Sequence, residues 1–215
     1  VWIDVEHDAD DPRFRSRAER TTREDKARRR AALDPEPPAR PAGPRRDRRI
    51  VIDEPEGLLY MVNQAAITFH GWASRVGTLD EPDWAIFDLD PPEGAAFSSL
   101  VEIAQALRKL LEMLGVESHP KTSGQKGLHV LVPLAPGHTI ETVQRFAEGV
   151  ARVVAHTLPT KVTLETERDK RLGRVYLDHG QNFRGKTLVA PYSLRAVDGA
   201  PASTPLRWDE VGPRL

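Results

Sequence analysis

From residue 50 onward apolar and polar positions fall into strand and helix patterns; before it they do not. Residues 83–94 read D-W-A-I-F-D-L-D-P-P-E-G. Trp84, Ala85, Ile86, Phe87 and Leu89 form the aromatic and branched run of a buried strand, stopped by Pro91-Pro92. Residues 97–114 carry Leu100, Ile103, Ala104, Leu107, Leu110, Leu111 and Leu114 along one amphipathic stripe. Ser99 with Glu102 fits a capping box at its start, and Gly115 fits its close. Residues 117–121 and 129–134 read as strands. Residues 139–158 read as a second helix through Ile140, Val143, Phe146, Ala147, Val150 and Val154, followed by strands over 161–165 and 174–178. The order β-α-β-β-α-β predicts an α+β fold, a split βαβ mixed sheet with helices packed on it.

Upstream, residues 50–52 read as a short strand and 58–62 as a strand or a helix entry. Residues 63–75 read as a helix, from the spacing of Ala66, Ile67, His70 and Ala73 or Ser74. Residues 1–49, rich in Arg and Pro and poor in large apolar side chains, cannot bury enough surface to offset ordering, and read as a low-complexity linker or tail. The folded domain is therefore expected over 50–215, with residues 188–208 extended across its surface.

Charge and composition narrow the function. A net charge of −1 argues against a globally basic nucleic-acid binder, although arginines are plentiful. The chain has no cysteine, which excludes thiolate metal sites and cysteine nucleophiles. No apolar run reaches membrane-spanning length and no export signal is evident, so the default expectation is a cytoplasmic protein.

Two aspartates, Asp88 and Asp90, sit in the apolar strand. Residues two apart share a face, so both carboxylates converge, and a divalent cation relieves their repulsion. An Asp pair at a strand end also serves as a turn cap, and the D-x-D pattern alone leaves both readings open. Between the two middle strands lies K-T-S-G-Q-K-G-L-H, residues 121–129. Ser123, Gly124 and Gly127 in a tight turn, with Lys126 projecting from it, predict an anion-binding nest of exposed amides, with His129 starting the next strand. It is not a Walker loop, because no Gly-Lys-Ser/Thr precedes a helix. A third acid, Asp178, ends a strand that the split βαβ order can set beside the first. Three carboxylates can hold two cations for in-line phosphoryl displacement. Arg171, Arg174, Arg184, Lys186 and Arg195 read as ordinary surface basicity one by one, and as a polyphosphate pocket when taken together with the acids.

The runs F-D-L-D-P-P-E-G, T-S-G-Q-K-G-L-H-V-L-V-P-L and Y-L-D-H-G-Q-N-F-R-G-K-T-L-V-A-P-Y-S-L-R resemble the polymerase domain of bacterial DNA ligase D, of the archaeo-eukaryotic primase superfamily. N-Q-A-A-I-T-F-H-G-W-A-S-R and G-A-P-A-S-T-P-L-R-W-D-E extend the match from about residue 50 to the end. The resemblance implies a nucleotidyltransferase that adds nucleotides, preferably ribonucleotides, to DNA 3′ ends in non-homologous end joining. It implies Mn²⁺ or Mg²⁺ as cofactor, DNA ends and NTP or dNTP as ligands, and Ku and an ATP-dependent ligase domain as partners, near the nucleoid. By the same resemblance Asp88, Asp90 and Asp178 are the catalytic, metal-binding acids. Ser123, Gly124, Lys126 and His129 contact the triphosphate, Arg171 and Arg195 lie on the phosphate side, and His70 lies close to the incoming nucleotide. Two departures stand out. The family's N-terminal third, with basic residues for a 5′-phosphate and stacking aromatics, has only the segment before Ile50 in its place. His179-Gly180 replaces a common aromatic–aliphatic pair, which is expected to loosen the strand after Asp178. A non-catalytic nucleotide- or DNA-end-binding remnant is the alternative.

Overall fold

In a computed structural model of the chain, residues 2–7, 45–212 and 215 are described, and they fall into a smaller unit ending at Leu58 and a larger one, Leu59–Leu215. In the smaller unit, strands β1 (Trp2–His7) and β2 (Arg45–Ile50) pair antiparallel, Trp2 opposite Ile50. The strand expected at 50–52 is thus displaced toward the N-terminus, and the linker reading of residues 8–44 lies outside the described residues. Helix α1 (Pro55–Asn63) resolves the ambiguity at 58–62 in favour of helix.

The helix expected over 63–75 does not form. Ala65 takes φ 61°, a left-handed conformation that ends α1. The chain then extends into β3 (His70–Trp72), which pairs antiparallel with β9 (Thr187–Val189). The apparent helical spacing loses to a long-range strand partner that sequence periodicity cannot register.

The core is a five-stranded mixed sheet in the order β5-β6-β4-β8-β7. Its centre is β4 (Trp84–Asp90), flanked antiparallel by β6 (Leu128–Pro133) and β8 (Val175–Asp178). β5 (His119–Thr122) lines one edge, and the two-residue β7 (Val162–Thr163), much shorter than the expected 161–165, runs parallel to β8 at the other. Alternation sends Ala85, Phe87, Leu89, Leu128, Val130, Val132, Val175 and Leu177 to one face, where they bury against α2 (Phe97–Met113) and α3 (Ile140–Thr157). The opposite face presents Asp88, Asp90, His129, Tyr176 and Asp178.

Helix ends follow the local chemistry. Thr139 caps α3, its Oγ1 accepting the Thr142 amide at 3.3 Å. The expected Ser99–Glu102 box is absent: α2 starts at Phe97 behind Ala96, with no side-chain cap, so Ser99 already lies inside the first turn. Gly115, at φ 71°, closes α2 by donating to the Glu112 carbonyl. The tail runs as an extended strap along β5: Thr122 donates to the Thr204 carbonyl, Leu206 to that of Pro120, and Trp208 Nε1 to Ser118 O at 2.7 Å.

Candidate active site

The open face of the sheet carries a cross-strand row. Register sets Lys121 opposite His129, His129 opposite Asp88, and Asp88 opposite Asp178. Asp90 lies two residues further along β4, opposite Tyr176. The β8–β4 pairing is prolonged by a side chain. Buried Asn182 accepts the Ile86 amide at 2.8 Å and donates to the Ile86 carbonyl at 2.7 Å, standing in for a missing strand residue.

Each acid has a distinct setting. Asp88 Oδ1 lies 3.3 Å from Nε2 of His129, whose ring is nearly buried and whose Nδ1 has no partner. Asp90 accepts Arg171 Nη1 at 2.9 Å. Asp178 Oδ1 accepts the Gly180 amide at 2.8 Å and the Tyr176 hydroxyl at 3.0 Å, and its Oδ2 accepts Gln181 Nε2 at 3.3 Å. Burial, then the charge of Asp88, pushes the Asp178 carboxyl above the ordinary carboxylate range, against those hydrogen bonds and Lys186. Burial, then the Asp178 charge, also raises the Tyr176 phenol. His179-Gly180 does not loosen this end. A Cβ on Gly180 would stand 2.9 Å from Asp178 Oδ1, so glycine permits the tight turn that holds the carboxylate.

The loop after β5 differs in detail from an open nest. Ser123 Oγ accepts the Gln125 amide at 3.2 Å and the Gly127 amide at 2.9 Å, so these N–H groups turn inward and the hydroxyl proton is the group left to offer. Gly124 has φ 74°, and a Cβ there would meet Arg195 Cγ at 2.7 Å and the Ser203 amide at 2.9 Å. A Cβ on Gly127 would meet the Leu89 carbonyl at 2.6 Å. Close packing demands both glycines, and the left-handed turn demands Gly124 as well. Lys126 extends into solvent, 70 % exposed and 3.9 Å from Glu93.

Loop, row and strap together wall an open cleft of about 920 Å³. His70, Asp88, Asp90, Ser123, Lys126, His129, Arg171 and Arg195 all line it; Asp178 and Gly124 do not. The expected arginine set converges only in part. Arg171 and Arg195 reach the cleft, but Arg171 is committed to Asp90, to the Glu165 and Thr166 carbonyls and to the Tyr176 ring, 4.0 Å away. Arg184 pairs with Asp80, and Arg174 donates to the Arg171 carbonyl. His70 is held below its ordinary pKa by burial first, then by Arg195, Lys121 and His129.

Sequence reasoning did not single out Lys121, Tyr176, Gln181 or Asn182. Lys121 follows the alternation of its strand, but only the pairing register shows which row it joins. Gln181 and Asn182 sit in a short turn with no periodic signal.

The donors suit a divalent cation: hard oxygens on facing strands, with the Asp178 carboxyl raised in pKa first by burial and then by the charge of Asp88. Among the described residues no three Asp, Glu or His side chains already converge as a coordination set, and Asp90 is turned to Arg171.

A central mixed sheet with acids on its open face, helices behind it and a basic loop at its mouth defines the primase-polymerase class. The chain matches the family described as LigD, primase-polymerase domain, over residues 10–215, and it belongs to that family. It is 38 % identical over 163 residues to the multifunctional non-homologous end joining protein LigD of Mycolicibacterium smegmatis, covering 75 % of this chain and 21 % of that one. To the bifunctional LigD of Bacillus subtilis it is 34 % identical over 163 residues, covering 75 % and 26 %. The polymerase domain of Mycobacterium tuberculosis Ligase D, solved in complex with DNA, superposes with a TM-score of 0.72 at 33 % identity, over 82 % of this chain and 64 % of that one. The chain thus spans between a fifth and about a quarter of these curated relatives' length.

Proposed function

We propose that the chain is a cation-dependent nucleotidyltransferase that adds ribonucleotides or deoxyribonucleotides to the 3′-hydroxyl of DNA ends. Asp88, Asp90 and Asp178 would hold Mn²⁺ or Mg²⁺, which when bound supplies charge for the triphosphate and acidity for the attacking hydroxyl. The chain's own residues do the rest. Ser123 Oγ–H donates to a phosphate oxygen while its lone pairs keep the loop folded. Lys126 swings from Glu93 to the phosphates as a point charge. His129 and Arg195 balance the remaining charge, and His70 borders the nucleotide at the strap side. The observation that carries this reading is the in-register Asp88–Asp178 pair, of which Asp88 lines one cleft together with Asp90, Ser123 and Lys126. A role in non-homologous end joining is part of the proposal, supported by the relatives' names; Ku and a ligase domain as partners, in the cytoplasm, extend it. Primer extension with Mn²⁺ and NTP tests it: the wild type extends and Asp88→Ala/Asp90→Ala does not. Equal extension by both removes these acids from the site.

The commitment of Asp90 to Arg171 favours one competing reading, a folded binder of nucleotides or DNA ends without turnover. Cation-dependent NTP binding in a protein that never extends a primer selects that reading.

A further inference from the structure

Lys121 takes no part in the reading above, yet it is among the most deeply buried side chains of the larger unit, at 1 % exposure. Its ammonium donates to Ser203 Oγ at 2.5 Å and to the Thr122 carbonyl at 3.5 Å. Both acceptors are neutral, and among the described residues it has no carboxylate partner; the acid in its row, Asp88, pairs with His129. A buried ammonium without a counter-charge is costly, and a buried charge perturbed in this way beside a cleft marks a candidate functional residue. The groups facing it are His129 on β6, Asp88 on β4, His70 on β3 and Arg195 on the strap, so the one carboxylate of the set, Asp88, is set against the Arg195 guanidinium as well as Lys121. His129 Nδ1, buried and unpartnered beside the same cleft, is a second sign of an unfilled polar site. The Ser123–Gly127 loop begins two residues after Lys121, and the loop's Gly124 packs against Ser203, the residue that Lys121 grips.

We propose that Lys121 is the buried counter-charge of the phosphate cradle: it touches no substrate atom, acts through space on a triphosphate seated on the Ser123–Lys126 loop, and draws in a proton when that polyanion binds. The proposal rests on the reading of this cleft as a nucleotide site. Burial lowers the Lys121 pKa to about 8, with Arg195 adding to the effect and Asp88 opposing it. A bound polyanion raises it again. Affinity is therefore full below pH 8 and declines as pH rises from there toward the liganded value.

Calorimetric titration of ATP with Mg²⁺ into the full chain between pH 7 and 9.5 is the test, comparing wild type, Lys121→Met and Lys126→Ala. The expected loss in Lys121→Met is roughly ten- to thirtyfold in affinity at pH 7, the scale of a unit charge several ångströms away at an effective dielectric near 20. Above pH 8 that deficit shrinks, because the wild type loses the charge the variant never had. In the wild type, titrations in two buffers of different ionisation enthalpy at about pH 8.5–9, where unperturbed histidines are neutral, show net proton uptake. If Lys126→Ala weakens ATP binding but the wild type takes up no proton and Lys121→Met binds normally, the Lys121 inference is overturned and the nucleotide site stands. If the wild type does not bind ATP, both fall. Should Lys121→Met fail to fold, proton uptake by the wild type decides alone.

Discussion

Asp178 carries the clearest tension at the level of single residues. Its folded-state pKa is raised, so the ionised carboxylate destabilises the native state once pH climbs above the ordinary carboxylate range, and the penalty persists to neutrality. Asp178→Asn keeps acceptor geometry for the Gly180 amide and the Tyr176 hydroxyl and removes the charge. It is expected to raise the melting temperature at pH 7, with the gain shrinking as pH falls into the ordinary carboxylate range. A variant less stable than wild type at pH 7 would mean that the hydrogen bonds outweigh the repulsion. Lys126 is the opposite case, an exposed side chain whose effect lies in binding. Lys126→Ala should weaken NTP binding by about 1.5–3 kcal/mol, the range for a hydrogen bond to a charged group, with an unchanged melting temperature. An unchanged KM for NTP in a folded variant removes the cradle role from this loop.

At the scale of elements, the end of β8 is fixed by a side chain. The Asn182 amide satisfies both backbone groups of Ile86 deep in the sheet. Asn182→Leu leaves a buried donor and acceptor unpaired, and urea unfolding should show a loss of about 2–4 kcal/mol. A loss below half a kcal/mol would show that the Ile86 groups find other partners. The strand that positions the acids was readable in advance, because its aromatic and branched run admits one periodicity and its two Asp residues break the run on one face. Helices α2 and α3 were readable for the same reason. The helix expected over 63–75 failed because Ala66, Ile67 and His70 mimic helical spacing, while their partner, β9, lies more than a hundred residues away. Within the site, the types and spacing of Asp88, Asp90, Ser123 and Lys126 pointed to cation and phosphate chemistry, and the structure brings these four to one cleft. The inward turn of the loop amides, the diversion of Arg171 to Asp90 and the burial of Lys121 depend on register and packing, which no local pattern encodes.

At the scale of the molecule, the larger unit is a sheet whose packed face builds its core and whose open face gathers charge. Among the described residues no helix is long and apolar enough to cross a membrane. A ligand that binds only the folded state stabilises it by mass action, about 2.7 kcal/mol at a hundredfold excess over its Kd. Mn²⁺ at that excess should therefore raise the melting temperature of the wild type and leave Asp88→Ala/Asp178→Ala unmoved; a variant that shifts equally binds the ion elsewhere. The most direct test of the central claim is the rate of single-nucleotide addition to a DNA primer in Mn²⁺, for wild type against Asp178→Asn. Because that substitution keeps the fold and its hydrogen-bond acceptor, the expected result is measurable addition by wild type and a loss of roughly a hundred- to a thousandfold in the variant, on the order of what deleting a group that stabilises transition-state charge costs. Addition by Asp178→Asn at the wild-type rate would contradict the assignment of this sheet face as a nucleotidyl-transfer site.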